Sequence, residues 1–337
     1  MIENKISVSI CIPVYNGGEY LDECIQSAVR QVYSAFEIVI VDDQSKDNSV
    51  EIINKWIAKD QRIRLFVNEK NLGLTGNWNA CLQHAKGEWI KFLFQDDILA
   101  PDCLQKMLMY ADKAKFISAE RNFIFEEGVD EITRHQYSTQ LTSPADEFSL
   151  KQPSLISAEA LCRKVIQRNS SNFIGEPTAV MFRRDLIEEC GMFSVDYDQI
   201  CDLEYWIRIG SIHGLFHIPE GLAFFRVHPQ STSSENKKVR MELADGAVFI
   251  YDLLYHEYYS SFRKYLNSFN HWKLKVIMSV RVFEMKDLAK KQMNEKMKRR
   301  AEKIFQLRPL ITTHLLPSAV TAIIYFFIRI KRNLRNR

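Results

Sequence analysis

Residues 88–97 read EWIKFLFQDD, an apolar stretch of strand length that runs straight into two adjacent carboxylates. Side by side, Asp96 and Asp97 repel each other, and at the mouth of a buried strand each loses part of its hydration. That is costly unless a cation is meant to sit there. The pattern recurs upstream, where FEIVIVDD (36–43) ends on Asp42 and Asp43, and SVSICIPVYN (7–16) delivers Pro13 and Tyr15. Segments of helical period lie between: EYLDECIQSAVRQV (19–32), SVEIINKWIAKD (49–60) and NWNACLQHAKG (77–87). PDCLQKMLMYADKA (101–114) follows, with Pro101 at a helix start. Such alternation predicts an α/β protein with a central, mostly parallel sheet flanked by helices. Ligands of such sheets bind beyond the carboxyl ends of the strands, so these polar groups share one rim.

The polar stretch 127–156 has no clear period and reads as a loop able to close over a substrate. Beyond it come a helix over 158–168, the stretch NFIGEPTAVMF (172–182), a helix ended by Gly191, the helix QICDLEYWIRIG (199–210) and the strand-like FHIPEGLAFFRVH (216–228). From about residue 237 the chain reads as helical.

Composition narrows the function classes. The 337 residues are 46% hydrophobic and 12% aromatic, ample for packed cores. Lys and Arg number 45 against 42 Asp and Glu, so no global field points to nucleic acid. Seven cysteines without a C-x-x-C pair argue against a disulfide framework or zinc ribbon and fit a reducing compartment. No charged and apolar leader opens the chain, so a cytoplasmic location is expected. Neither G-x-G-x-x-G after the first strand nor G-x-x-x-x-G-K-[ST] occurs, and a carboxylate-held metal is the natural substitute for a glycine-rich phosphate cradle.

Asp96 and Asp97 suit Mg²⁺ or Mn²⁺ as hard oxygen ligands, although a solvated turn or helix cap before Pro101 is the better account of a bare Asp-Asp pair taken alone, and only combination with the other strand-end sites reverses that order. Asp47 is the natural helix cap after VDD. That frees Asp42 and Asp43 to accept from a nucleobase or ribose beside the Tyr15 ring; the alternative is carboxylates satisfied by loop N–H groups.

Six blocks, VSICIPVYNGGEYLDECIQSAVRQ, FEIVIVDDQSKDNSVEII, NEKNLGLTGNWNACLQHAKGEWIKFLFQDDIL, GEPTAVMFRR, CDLEYWIRIG and FRVHPQSTS, together resemble the family 2 inverting glycosyltransferases of the GT-A fold, over roughly residues 6–235. The resemblance implies a nucleotide-diphospho-sugar donor, with Pro13 and Tyr15 around the base, Asp43 on it and Asp42 close by. It implies a metal at Asp96 and Asp97, with Asp96 also near ribose and His228 completing the metal site. Many members carry a further Asp where this chain has Phe94. The family's base carries over to Asp202, in a block where Cys201 replaces a Glu. Glu204 is the runner-up base, yet at i and i+2 on one helix it and Asp202 face apart. His213 and His217 have no helical metalloprotease geometry and are set aside. Gly175 falls in the family's flexible loop near the acceptor.

The expected organisation is a transferase domain over 1–235 and a helical region over 236–337. Its apolar run LLPSAVTAIIYFFI (315–328), just short of a bilayer span, precedes Arg329, Lys331, Arg332, Arg335 and Arg337. An interfacial helix within about 311–337, at the inner face of the plasma membrane, is one expectation, and a buried terminal helix or homodimer contact the other. The implied acceptor is a glycan, lipid-linked in the bacterial cell-surface polysaccharides of O-antigen or capsule type. Two rivals stand beside the transferase: a metal-dependent nucleotidyltransferase and a non-catalytic nucleotide-sugar-binding subunit.

Overall fold

The computed structural model describes residues 7–139, 141–169, 172–231, 241–290, 295–318, 320–322 and 324–325. The described chain forms two compact units. The first comprises Met1–Leu161, Asn172–Val195 and Cys201–Pro229, and the second Cys162–Ser171, Asp196–Ile200 and Gln230–Arg337.

A nine-stranded sheet organises the first unit. Its strands are β1 (Val8–Val14), β2 (Phe36–Asp42), β3 (Ile63–Val67), β4 (Trp89–Phe92), β5 (Ile98–Leu99), β6 (Phe116–Phe125), β7 (Ser154–Ile156), β8 (Val180–Arg183) and β9 (Leu215–Val227), in the order β3-β2-β1-β4-β8-β6-β9-β5 with β7 also on β9. β1 through β4 pair in parallel, as the alternating pattern predicts. Beyond β4 the sheet is mixed: β8 runs antiparallel between β4 and β6, β9 is parallel to β6, and β5 and β7 are antiparallel to β9. "Mostly parallel" therefore holds for one half only. The helix-crossover signal that reveals parallel neighbours fades after residue 100, and pairings with β8 and β9 span long sequence separations.

Every residue of β1 and β2 is buried, which explains their unbroken apolar runs. One face, with Ile10, Ile12, Ile38 and Ile40, packs in a core with Leu21, Cys24, Ile25 and Ala28 of the helix Leu21–Val29. The helix Gly73–His84 lies against the same two strands and is tied to β1 where the Cys11 thiol donates to the Cys81 carbonyl. Gly87 is required by close approach, since a Cβ there would lie 2.4 Å from the Ser9 nitrogen.

The stretch read as a closing loop is largely structured. It holds the helices Glu131–Thr139 and Pro144–Phe148, the latter with a Ser143/Asp146 capping box, and ends in β7. Glu131–Thr139 buries no residue completely, so its sequence carries no apolar stripe. Tyr137 packs instead against Phe123, Phe125 and Phe225 of β6 and β9.

The second unit is helical, built on Met241–Tyr255, Ser268–Lys290 and Glu295–Leu307. Two buried acids organise it. Asp245 accepts from Arg300 and from the backbone N–H groups of Asp198 and Gln199, while Asp252 accepts from Arg308 and the Tyr197 hydroxyl. Among the described residues no helix is long and apolar enough to cross a membrane. The basic residues Arg329 to Arg337 of the expected interfacial helix lie outside the described residues.

Candidate active site

The rim predicted at the carboxyl ends of the strands is cross-braced by side chains. Gln95 accepts from the Tyr15 N–H at 2.8 Å and donates back to the Tyr15 carbonyl at 3.2 Å, locking the end of β1 to the turn after β4. The Tyr15 ring is left exposed, available for stacking. Pro13 is buried within β1 opposite Val41. Asp47 accepts from the N–H of Ser49, the first residue of the helix Ser49–Ile57, although Asn48 is the capping residue.

The two acids that end β2 differ sharply. Asp43 is saturated: its oxygens accept from the Asn68 side chain at 2.7 Å, the Leu72 N–H at 2.8 Å and the Gly73 N–H at 2.9 Å. Asp42 is equally buried, yet only its Oδ2 is engaged, by the Ser45 N–H at 3.0 Å. Its Oδ1 has no hydrogen-bond partner in the protein. A buried carboxylate oxygen left open is costly, and a ligand donor would relieve that cost.

The Asp96/Asp97 pair divides in the same way. Asp97 is wholly buried, with Oδ2 accepting from the Thr178 hydroxyl at 2.5 Å and Oδ1 from the Arg226 N–H at 2.9 Å. Burial pushes its carboxyl well above the usual range, and the Asp96 charge adds to the shift. Thr178 is held in turn by Lys91, a fully buried lysine that donates to the Thr178 carbonyl. Asp97, expected as a metal ligand, thus carries a hydrogen bond on each oxygen and has no exposed surface. Asp96 remains partly exposed and meets His228 with Oδ2 3.1 Å from Nε2. Among the described residues no group of three or more His, Cys, Asp or Glu side chains is placed to hold a metal. Asp96 and His228 are the two that come together, and Phe94 packs on Trp78.

Asp202 sits at the start of the helix Cys201–His213, where the helix dipole favours negative charge. Its Oδ2 accepts from the Asn172 amide at 3.1 Å and its Oδ1 from the Leu203 N–H at 2.7 Å. Burial nevertheless pushes its carboxyl up to about 7; Glu176 adds to the shift, and the Leu203 N–H and Arg121 oppose it. Glu176 is itself paired with Arg121 at 2.7 Å and also raises Asp97, so the segment Glu176–Thr178 lies within electrostatic reach of both acids. The Gly175 loop is pinned, its carbonyl accepting from the Trp206 indole at 3.2 Å. Gly175 has φ +118°, a conformation that strains any side chain.

Glu204 is not placed as a base. It is buried and held in a two-pronged pair by Arg208, both contacts at 2.8 Å. His217 bonds Ser118 at 2.8 Å, deep in the sheet, and His213 pairs with Glu189. Sequence reasoning passed over Asn172, Thr178 and Arg226. Only Arg226 carried a signal, two positions before His228.

Residues 9–191 match the model of glycosyl transferase family 2. The chain belongs to that family. An uncharacterized glycosyltransferase of Haemophilus influenzae is 28% identical over 235 residues, 69% of each chain. The hyaluronan synthase of Pasteurella multocida is 37% identical over 119 residues, 34% of this chain and 12% of that one. Among solved structures, S. aureus TarS 1–349 in complex with UDP-GlcNAc superposes with a TM-score of 0.60 at 15% identity, covering 90% of this chain and 81% of that one. The mannosyltransferase PcManGT from Pyrobaculum calidifontis, in complex with GDP-Man and Mn²⁺, gives 0.55 at 15% identity, covering 88% and 84%. These likenesses establish the GT-A fold of the family 2 glycosyltransferases.

Proposed function

We propose that this family 2 glycosyltransferase moves a sugar from a nucleoside-diphosphate donor to a hydroxyl of a glycan acceptor, in one displacement that inverts the anomeric centre. The observation that carries the reading is Asp202, a helix-start carboxylate whose proton affinity is raised to about 7. A base poised there takes a hydroxyl proton efficiently near neutrality. The acceptor oxygen attacks the anomeric carbon, its proton passes to Asp202, and the bond to the diphosphate breaks with its electron pair leaving on the diphosphate oxygen. Glu204, spent on Arg208, does not compete.

On the donor side the Tyr15 ring stacks on the nucleobase and the buried, unpartnered Oδ1 of Asp42 accepts its N–H once the donor enters, while Asp43 shapes the loop at residues 68–73 around it. Asp96 and His228 fit Mg²⁺ or Mn²⁺: one carboxylate and one imidazole leave most of the coordination shell to diphosphate oxygens and water. Such an ion, when bound, neutralises charge on the leaving diphosphate. Asp97 supports the site from beneath.

The nucleotide sugars bound by TarS and PcManGT support a donor of this class, and the match to hyaluronan synthase supports a polysaccharide product. Residues 1–235 would carry the chemistry. The tail at 311–337 would make a peripheral contact with the inner face of the plasma membrane, where a lipid-linked acceptor lies.

The test is release of nucleoside diphosphate from UDP-, GDP- and dTDP-sugars with Mn²⁺ or Mg²⁺ and a membrane lipid extract. Metal-dependent release, abolished by Asp202→Asn and Asp96→Asn, is the expected result. Release that survives Asp202→Asn overturns the assignment of the base.

A further inference from the structure

We propose that Arg226 is the positioning residue that sets Asp96 and His228 as a pair for a divalent cation, a role that rests on the nucleotide-sugar reading of this site. In the antiparallel pairing of β5 with β9, Ile98 opposes Phe224 and Leu99 opposes Ala223. Two residues further in that register, Asp96 faces Arg226. The regular ladder has stopped there, and Arg226 replaces it. Its backbone N–H goes to the Asp97 carboxylate at 2.9 Å, and its side-chain Nε returns to the Asp96 carbonyl at 2.8 Å. One residue thereby fixes the backbone of Asp96 and the side chain of Asp97.

The guanidinium is itself fully oriented. Its remaining nitrogens pair with Glu126 and, at 2.5 Å, with Glu23, and its Cζ lies 4.7 Å from the centre of the Tyr20 ring. Tyr20 also packs on the His228 ring, with centroids 5.0 Å apart. His228 follows Arg226 by two positions, one residue past the end of β9. Arg226 therefore addresses both members of the pair: Asp96 through its carbonyl, His228 through Tyr20. The arrangement uses the fork of an arginine, each of its three nitrogens with its own acceptor, which the point charge of a lysine does not reproduce.

The experiment compares the full chain with Arg226→Lys and Arg226→Met, titrating Mn²⁺ by electron paramagnetic resonance in the presence of UDP and of GDP. Nucleotide binding without metal and far-UV circular dichroism are measured alongside. Both variants should lose about tenfold or more in Mn²⁺ affinity, the usual cost of removing an outer support of a metal site, with metal-free nucleotide binding and helix content unchanged. Where Arg226→Met fails to fold, Arg226→Lys carries the test. Wild-type Mn²⁺ affinity in a folded variant overturns the inference, as does rescue by Arg226→Lys, which would make charge alone sufficient. Nucleotide binding by the wild type that Mn²⁺ does not alter overturns the inference and leaves the transferase reading standing. No binding of either nucleotide by the wild type, with or without Mn²⁺, overturns both.

Discussion

The side-chain amide of Asn172 donates to Oδ2 of Asp202 at 3.1 Å, while its carbonyl oxygen accepts from the backbone N–H groups of Ile174 and Gly175. Asn172 thus joins the Gly175 loop to the carboxylate assigned as base. A donor on the ionised form lowers a carboxyl's pKa, so Asn172→Ala should raise that of Asp202 above its value of about 7. The base works deprotonated, and the rate falls as pH drops through its pKa. The acid limb of the kcat/KM profile between about pH 5 and 9 should therefore move to higher pH in the variant. An unmoved limb would separate Asn172 from the base.

Asp202 is also a cost to the fold. Its carboxyl is protonated in both folded and unfolded chains at low pH, but above about 7 it must ionise in its half-buried place, whereas the unfolded chain ionises near 4. The stability it allows is thus present below the unfolded value and lost as pH rises through the folded one. Asp202→Asn should stabilise the protein by roughly 1 to 3 kcal/mol at pH 8 and by almost nothing at pH 4. Denaturant melts at the two pH values check this, and equal gains at both would refute it.

Asp96 and Asp97 should separate in mutagenesis. Asp97→Ala leaves the Thr178 hydroxyl and the Arg226 N–H unpaired in the interior, which costs about 1 to 3 kcal/mol of stability. Asp96→Ala, at a partly exposed position, should leave the denaturation midpoint nearly unchanged while abolishing Mn²⁺ binding in the presence of nucleotide. A reversed pattern would make Asp97 the ligand.

Asp42 and Asp43 offer a parallel contrast. Asp43→Ala frees the Asn68, Leu72 and Gly73 donors, and the protein should lose about 2 kcal/mol. Asp42→Asn should cost little stability, because Oδ1 has no protein partner to lose. It should still weaken nucleotide binding about tenfold, through loss of one charge-assisted bond. Calorimetric titration with UDP and GDP decides; wild-type affinity in Asp42→Asn would remove Asp42 from the base site.

Glu204 and Arg208 supply the control. Arg208→Ala strands a buried carboxylate and should destabilise by about 3 to 5 kcal/mol. Glu204→Gln, folded and assayed for nucleoside diphosphate release, should retain turnover. Loss of turnover without loss of fold would restore Glu204 as the base.

The parallel half of the fold was legible because β1 and β2 are buried on both faces, and burial on both faces writes itself as an unbroken apolar run. The antiparallel half was not. β6 carries Glu120 and Arg121 across a register shift, and the helix Glu131–Thr139 contributes partly buried side chains without a stripe.

The amino-acid order by itself determined that carboxylates stand where strands end: Asp42 and Asp43 at the end of β2, Asp96 and Asp97 after β4, with Asp202 at a helix start and His228 past the last strand. Local periodicity sets those positions, and periodicity is written in neighbouring residues. Which oxygens find hydrogen-bond partners was decided only by tertiary structure. Asp97 is closed by Thr178 and Arg226, 81 and 129 positions away, whereas Asp96 keeps His228. Asp43 is saturated by residues 68–73 while Asp42 is left with one bare oxygen. Adjacent acids are alike in sequence; they part company because burial and hydrogen-bond donors arrive from distant segments that only the folded chain brings together.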